Sequence, residues 1–181
     1  IDSLEIFGTP LEIRLTQAEM EMNRNHADLY SRQTLVPGWK QKSLAQQRIA
    51  FVGMGGNGAP FFQTLVGMGA GTEGWLAGID PDCVEKSNLP RLPYALPQDV
   101  GQPKVTVAAR YLGQKNPAIK FYPYPCLANQ PPVIDRIKEA TILIGAGDND
   151  GVRKFCNELS IRYLIPYIDF GCDIQIQEDH M

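Results

Sequence analysis

Cysteine is scarce in this chain and badly placed for pairing. Four residues, at positions 83, 126, 156 and 172, include no Cys-x-x-Cys. That excludes a zinc knuckle and gives no disulfide framework. Reduced thiols in a cytoplasmic protein are the expectation. Histidine is scarcer still: His26 and His180 stand in polar segments and offer no metal constellation. No apolar run approaches the ~20 residues of a membrane-spanning helix. The longest, Ala59–Ala70, is interrupted by Gln63, Gly67 and Gly69. The opening Ile1-Asp2-Ser3-Leu4-Glu5 lacks the basic start and apolar core of a secretory signal. No large excess of either charge is present. The net charge of −3 speaks against a general nucleic-acid binder.

What is present is an ordinary globular composition, 44% hydrophobic and 20% charged over 181 residues. That length suits one domain with a short arm and buries enough apolar surface to need no staple. Residues 1–29 read as the arm, or as the end of a preceding segment. Leu11–Leu15 alternates apolar and charged, as a short strand does. Thr16-Gln17-Ala18-Glu19 has the capping-box spacing of a helix start, and the helix is expected to run toward Tyr30. Residues 30–181 read as the domain proper.

From Arg48 the pattern alternates. Ile49–Val52 reads as a buried parallel strand, followed by a glycine-rich loop and a helix to about Gly69. Trp75–Ile79, Ile119–Tyr124, Thr141–Ile144 and Ile165–Phe170 are further strand candidates. Pro103 suits the first turn of a helix whose face is Val105, Ala108, Ala109 and Leu112. Asp150 can cap a helix over 151–160. The proline-rich stretches Pro90–Pro97 and Pro123–Pro132 read as loops. Strands alternating with helices imply an α/β, Rossmann-like fold, a mostly parallel sheet with helices on both faces.

Gly53, Gly55 and Gly58 fit G-x-G-x-x-G between a strand and a helix, with Gly56 inside the loop. Glycines let backbone amides approach phosphate oxygens, and the helix N-terminus adds a partial positive charge. Asp80 closes the second strand about 20 residues on, where an acid accepts hydrogen bonds from ribose hydroxyls. A nucleotide follows, with NAD still open. Three more clusters lie at or after carboxyl ends of the expected strands. They are Asp80–Arg91 with Asn88, Gly101-Gln102-Pro103-Lys104, and Gly147-Asp148-Asn149-Asp150. An amide, two cations and a carboxylate beside a phosphate cradle suit a triphosphate with magnesium.

From Tyr30 to about Gly171 the chain resembles the ThiF/MoeB/HesA adenylating family, the fold of ubiquitin-activating enzymes. The matching pieces are Tyr30-Ser31-Arg32-Gln33, the Gly53–Gly58 loop, Asp80-x-Asp82, Ser87-Asn88-Leu89-x-Arg91, Gly101-x-Pro103-Lys104, and Asp148-Asn149 followed by Arg153. The resemblance implies ATP- and Mg²⁺-dependent adenylation of a C-terminal glycine carboxylate on a ubiquitin-like or sulfur-carrier protein. It implies Asp80 on the ribose, and Asn88, Arg91 and Lys104 on the phosphates. It puts Asp148 on Mg²⁺, and Arg32 reaching a neighbouring protomer's ATP in a homodimer. Asp82 receives no role.

Other readings stand beside this one. They are the silent half of a heterodimeric activating enzyme, adenylation of a peptide or tRNA base, and an NAD-dependent oxidoreductase. The last leaves Asn88, Arg91, Lys104 and Asp148 without a task. Two departures from the family pattern are visible. Leu92-Pro93 follows Arg91 where glutamine is usual, and the paired Cys-x-x-Cys is missing. The resemblance also implies further strands beyond Met181, so the chain reads as truncated. Cys172 reads as a strand-end residue rather than an acyl acceptor.

Overall fold

The computed structural model describes residues 29–171. The chain divides into two compact units, residues 1–41 and 42–181. The first unit contributes a 3₁₀ turn, Gln33–Leu35, with Thr34 Oγ1 donating to the Ser31 carbonyl at 2.7 Å. The strand and helix expected before Tyr30 lie outside the described residues.

A short helix, α1 (Gln41–Ala45), spans the boundary, and among the described residues the second unit is built on five parallel strands. These are β1 (Arg48–Val52), β2 (Trp75–Ile79), β3 (Phe121–Tyr124), β4 (Ile142–Gly145) and β5 (Tyr167–Asp169). Their spatial order is β3-β2-β1-β4-β5. Central strands must be apolar on both faces, and β1 and β2 are buried along nearly their whole length. The flanking strand β3 carries exposed Pro123, which an edge tolerates because no ladder bond is lost there. Alternation along β1 feeds two cores. Ile49 and Phe51 join Phe62, Leu65, Val105, Leu112 and Ile144 on one side. Ala50 and Val52 join Val133, Ile137, Leu143, Cys156 and Leu159 on the other.

The helices are α2 (Gly58–Met68), α3 (Lys104–Lys115), α4 (Pro131–Lys138) and α5 (Asp150–Tyr163). Gly69, with φ of 81°, ends α2 in the left-handed conformation that glycine adopts freely. Among the described residues no helix is long and apolar enough to cross a membrane.

Several expectations need correcting. The stretch Pro123–Pro132 is not all loop, because Pro131 and Pro132 open α4. Proline is accepted in a first turn, where its missing N–H is not needed. Arg136 then fastens that helix by stacking over Tyr122 at 3.9 Å and Trp75 at 5.2 Å from the ring centroids. Asn149, not Asp150, caps α5: its side chain accepts from Val152 N at 2.9 Å. Pro103 precedes α3 as its N-cap. On that helix Val107 is buried where Ala109 was expected. Pro90 lies inside a 3₁₀ turn, Lys86–Arg91.

The order of strands places a switch point between β1 and β4. The connection after β1 leads to one side of the sheet and the connection after β3 returns to the other. The connections that leave β1 and β4 at their carboxyl ends therefore run to opposite sides, leaving a crevice. Two glycines beside it allow close backbone contact. Gly53 has φ of 97°, and a Cβ there would lie 2.6 Å from the Ala146 carbonyl. A Cβ on Gly58 would lie 2.2 Å from the Gly53 oxygen. Neither neighbour is a flexible side chain that can move aside. Gly58→Ala is expected to destabilise the fold by about 2–3 kcal/mol, read as a lowered denaturation midpoint with unchanged slope.

Candidate active site

The glycine-rich loop leaves β1 at Gly53, whose N–H donates to the Ile79 carbonyl at 2.9 Å. The loop then turns into α2. Asn57 precedes that helix without capping it; its Nδ2 instead donates to the Phe170 carbonyl at 3.1 Å. At Gly55 a Cβ would meet nothing within 4 Å, so that backbone borders open space. At Gly56 a Cβ would lie 2.8 Å from Arg91 Cδ. Arg91 therefore lies across the loop, with its Nη1 donating to the Ser87 carbonyl at 2.7 Å.

Met54, the residue between the first two motif glycines, is fully buried and held at both backbone groups. Its N–H donates to Asp80 Oδ2 at 2.7 Å. Its carbonyl accepts from the Tyr94 hydroxyl at 2.6 Å. Burial, and secondarily the Asp80 charge, push the Tyr94 phenol well above its ordinary range, so it stays protonated and donates. Tyr94 is a residue the sequence reading missed. No motif marks it, and only packing brings it 40 positions back to the loop.

Asp80, expected at the ribose, ends β2 and is 4% exposed. Its second oxygen accepts from Asp82 N at 2.9 Å and lies 3.7 Å from Lys104 Nζ. Burial raises its carboxyl above the ordinary value; the two amides and the Lys104 charge oppose that rise. Lys104 is itself 8% exposed and donates to Asp82 Oδ2 at 2.7 Å. Asp82, to which the sequence assigned nothing, thus partners the lysine expected at the phosphates. A small antiparallel bridge makes this possible. Cys83 pairs with Pro103, Lys104 N donates to the Asp82 carbonyl at 2.9 Å, and Val84 N to the Gln102 carbonyl at 2.8 Å.

Asn88 is buried, and its Oδ1 accepts from Glu85 N at 3.2 Å, closing the local turn. Its Nδ2 makes only a long contact, 3.4 Å, to Ser87 Oγ. Asp148 is exposed beyond β4 and has no hydrogen bond or ion pair among the described residues. It lines a cleft of about 130 Å³ together with Gly53, Asp80, Asp82, Cys126 and Asn149. Arg153 does not face that cleft. It pairs with Asp169 at 2.5 Å and Asp150 at 3.6 Å, and lines an open depression beside Lys154 and Tyr167. Arg32 is exposed within the first unit.

Of the cysteines, Cys83 is exposed, Cys126 half-buried in the cleft wall, and Cys156 buried. Burial pushes the Cys156 thiol up to about 12, as suits a core residue. Cys172 and both histidines lie outside the described residues. No group of three or more His, Cys, Asp or Glu able to hold a metal is found among the described residues. The donor set fits magnesium in another way. One hard, unpaired carboxylate at Asp148 suits an ion that takes its other ligands from phosphate oxygens and water.

A parallel sheet, a glycine-rich loop at its switch point and a carboxylate beyond each neighbouring strand define an α/β domain of the Rossmann type. The chain belongs to the ThiF family, whose family model matches residues 30–173. A sulfur carrier protein adenylyltransferase of Thermus thermophilus is 30% identical over 86% of this chain and 57% of its own length. A SAMP-activating enzyme E1 of Haloferax volcanii is 31% identical over 77% of this chain and 52% of its own length. The chain thus spans little more than half of those relatives. Among solved structures, E. coli MccB with succinimide matches at 27% identity and a TM-score of 0.71, over 81% of this chain and 45% of MccB. The E. coli tRNA N6-threonylcarbamoyladenosine dehydratase TcdA shares the fold, with a TM-score of 0.69 at 24% identity over 78% of this chain and 59% of TcdA.

The charge arrangement around Asp80 gives a titration test. In carboxyl-resolved NMR, Asp80 is expected to titrate above an ordinary aspartate. In Lys104→Met it is expected to titrate higher still, because a neighbouring cation that favours the ionised form is gone. For an acid with a raised folded pKa, stability falls as pH rises from the unfolded to the folded value. Lys104→Met widens that window.

Proposed function

We propose that this domain binds ATP with Mg²⁺ and adenylates the C-terminal glycine carboxylate of a ubiquitin-like or sulfur-carrier protein. In that reaction a carboxylate oxygen bonds to the α-phosphorus. The bond from that phosphorus to the bridging oxygen breaks, and pyrophosphate leaves with the electron pair. The relatives' names support the reading. The observation that carries it is the placement of unpaired Asp148 in one cleft with Gly53 and Asp80, with Lys104 Nζ 2.7 Å from the cleft residue Asp82.

The chemistry asks for fixed positive charge, because an anionic acid must approach an anionic triphosphate. Arg91 over Gly56 and Lys104 beside Asp82 are in place for this. Open backbone at Gly55 receives phosphate oxygens, and Asp80 stands at the strand end where a ribose docks. Asn88 offers its weakly engaged amide to the same phosphates. Three carboxylates, Asp80, Asp82 and Asp148, line the cleft against the Lys104 and Arg91 charges beside it, so the protein groups there are acidic on balance. Asp148 is the residue that would hold magnesium, which would supply the missing positive charge at the phosphates. The reading extends to a homodimer in which exposed Arg32 reaches the neighbouring protomer's ATP. A cytoplasmic location agrees with free thiols at Cys83, Cys126 and Cys156.

Calorimetric titration with ATP·Mg²⁺ and with NAD tests the reading. ATP is expected to bind with a magnesium requirement. Asp148→Ala is expected to abolish that requirement and to lower pyrophosphate exchange with a cognate carrier protein by roughly 10²–10³-fold. Binding of NAD in place of ATP would falsify the proposal. Gly55→Ala separates site from scaffold. Its methyl enters open space, so stability should stay within about 0.5 kcal/mol while ATP affinity drops.

A further inference from the structure

The geometry points to Tyr94 as a positioning residue that aims the Gly55 amide of the glycine-rich loop at the phosphates. The argument starts from the peptide unit joining Met54 to Gly55. It is planar and trans, so the carbonyl of Met54 and the N–H of Gly55 point in opposite directions. The Tyr94 hydroxyl holds that carbonyl at 2.6 Å, inside the core. The Gly55 N–H is thereby turned away from the core, in a loop whose next Cβ position, on Gly55, borders open space. No acceptor among the described residues takes that N–H. The next carbonyl, of Gly55, is already committed to Ala59 N at 2.8 Å at the start of α2. The preceding N–H, of Met54, is committed to Asp80 at 2.7 Å. The Gly55 N–H is therefore left as a donor without an acceptor among the described residues, as are those of Gly56 and Asn57, and the Tyr94 hydroxyl fixes the direction of the first.

Glycine makes this hydroxyl matter. With no side chain, Gly55 has little intrinsic preference between peptide orientations. An anchor on the neighbouring carbonyl replaces the steric restriction that a Cβ would impose. Water cannot stand in for it, since Met54 is 0% exposed and Tyr94 3% exposed. The tyrosine is in turn fixed by its ring, which packs edge-on against Phe62 at 6.4 Å between centroids. Tyr94 also lies three residues beyond Arg91, whose side chain covers Gly56. The Lys86–Tyr94 segment therefore contacts the loop at two points, Gly56 through Arg91 and Met54 through Tyr94.

The inference rests on the reading of the cleft as an ATP site, and its test uses Tyr94→Phe and Tyr94→Leu in the full chain. Two measurements are made on each protein. One is the amide resonance of Gly55 in the absence of nucleotide. The other is calorimetric affinity for ATP·Mg²⁺ and for adenosine, which has no phosphates. Tyr94→Phe is expected to shift or broaden the Gly55 amide. It should weaken ATP about tenfold and change adenosine by less than about twofold. Adenosine binding also reports that the variant is folded. Tyr94→Leu should show the same ATP-to-adenosine ratio with a lower melting temperature, because it loses the ring as well. A Gly55 amide unmoved in Tyr94→Phe overturns the inference, as does an equal loss of ATP and adenosine affinity. A wild-type protein that binds NAD instead of ATP sinks the adenylation reading alone. The Gly55 amide then still decides the role of Tyr94.

Discussion

Asp80 stands where three segments meet, and each is tied to it by one polar contact. Met54 of the glycine-rich loop donates to one oxygen, Asp82 of the following loop donates to the other, and Lys104 of α3 approaches within 3.7 Å. A buried carboxylate is costly unless it is paired and hydrogen-bonded. Here the offsetting contacts are also the contacts that assemble the site. Loosening any of them leaves a charge poorly solvated, so the penalty of burial enforces the geometry. The raised carboxyl of Asp80 is the visible residue of that unbalanced cost.

The glycines act within this frame in two different ways. Gly53 and Gly58 are structural: their missing side chains let β4, the loop and α2 touch backbone to backbone. Gly55 borders open space, so its missing side chain serves whatever enters the cleft. Gly56 makes room for Arg91 instead. A single motif thus contains a packing function, a ligand-facing function and a docking point for a cation. A motif match treats all of these positions alike; coordinates separate them.

Charge pairing around the cleft shows the same division. Arg153 is satisfied by Asp169 and Asp150, and Lys104 by Asp82 and Asp80. Asp148 is left without a partner among the described residues. Asp82 is well exposed while Lys104 is not, so the acid is the member of that pair free to yield when another anion arrives. Arg110 and the buried Asp99 form a further pair outside the cleft. That pair anchors the turn before α3, with Arg110 Nη2 donating to Asp99 Oδ2 at 2.6 Å. It holds the Asp99 carboxyl below the usual range and fixes the start of the helix that carries Lys104.

The sequence by itself determined the five strands, the α2 and α3 helices and the loop between β1 and α2. Apolar runs and glycine spacing are local signals, and burial on both faces of a parallel sheet writes them strongly. It missed α4 because prolines read as loop, although two prolines in a first turn are compatible with a helix. It misassigned the α5 cap because neighbouring Asn149 and Asp150 both have the chemistry for it. The strand order, and hence the cleft between β1 and β4, was implied by topology rules rather than written in any residue. Only the tertiary structure decided which motif residues meet. It joined Lys104 to Asp82, drew Arg153 away to Asp169, left Asp148 open, and brought Tyr94 beneath Met54. The physical reason is that hydrogen bonds and ion pairs form between groups adjacent in space. Their partners here lie 16 to 40 positions apart, where no local pattern records them.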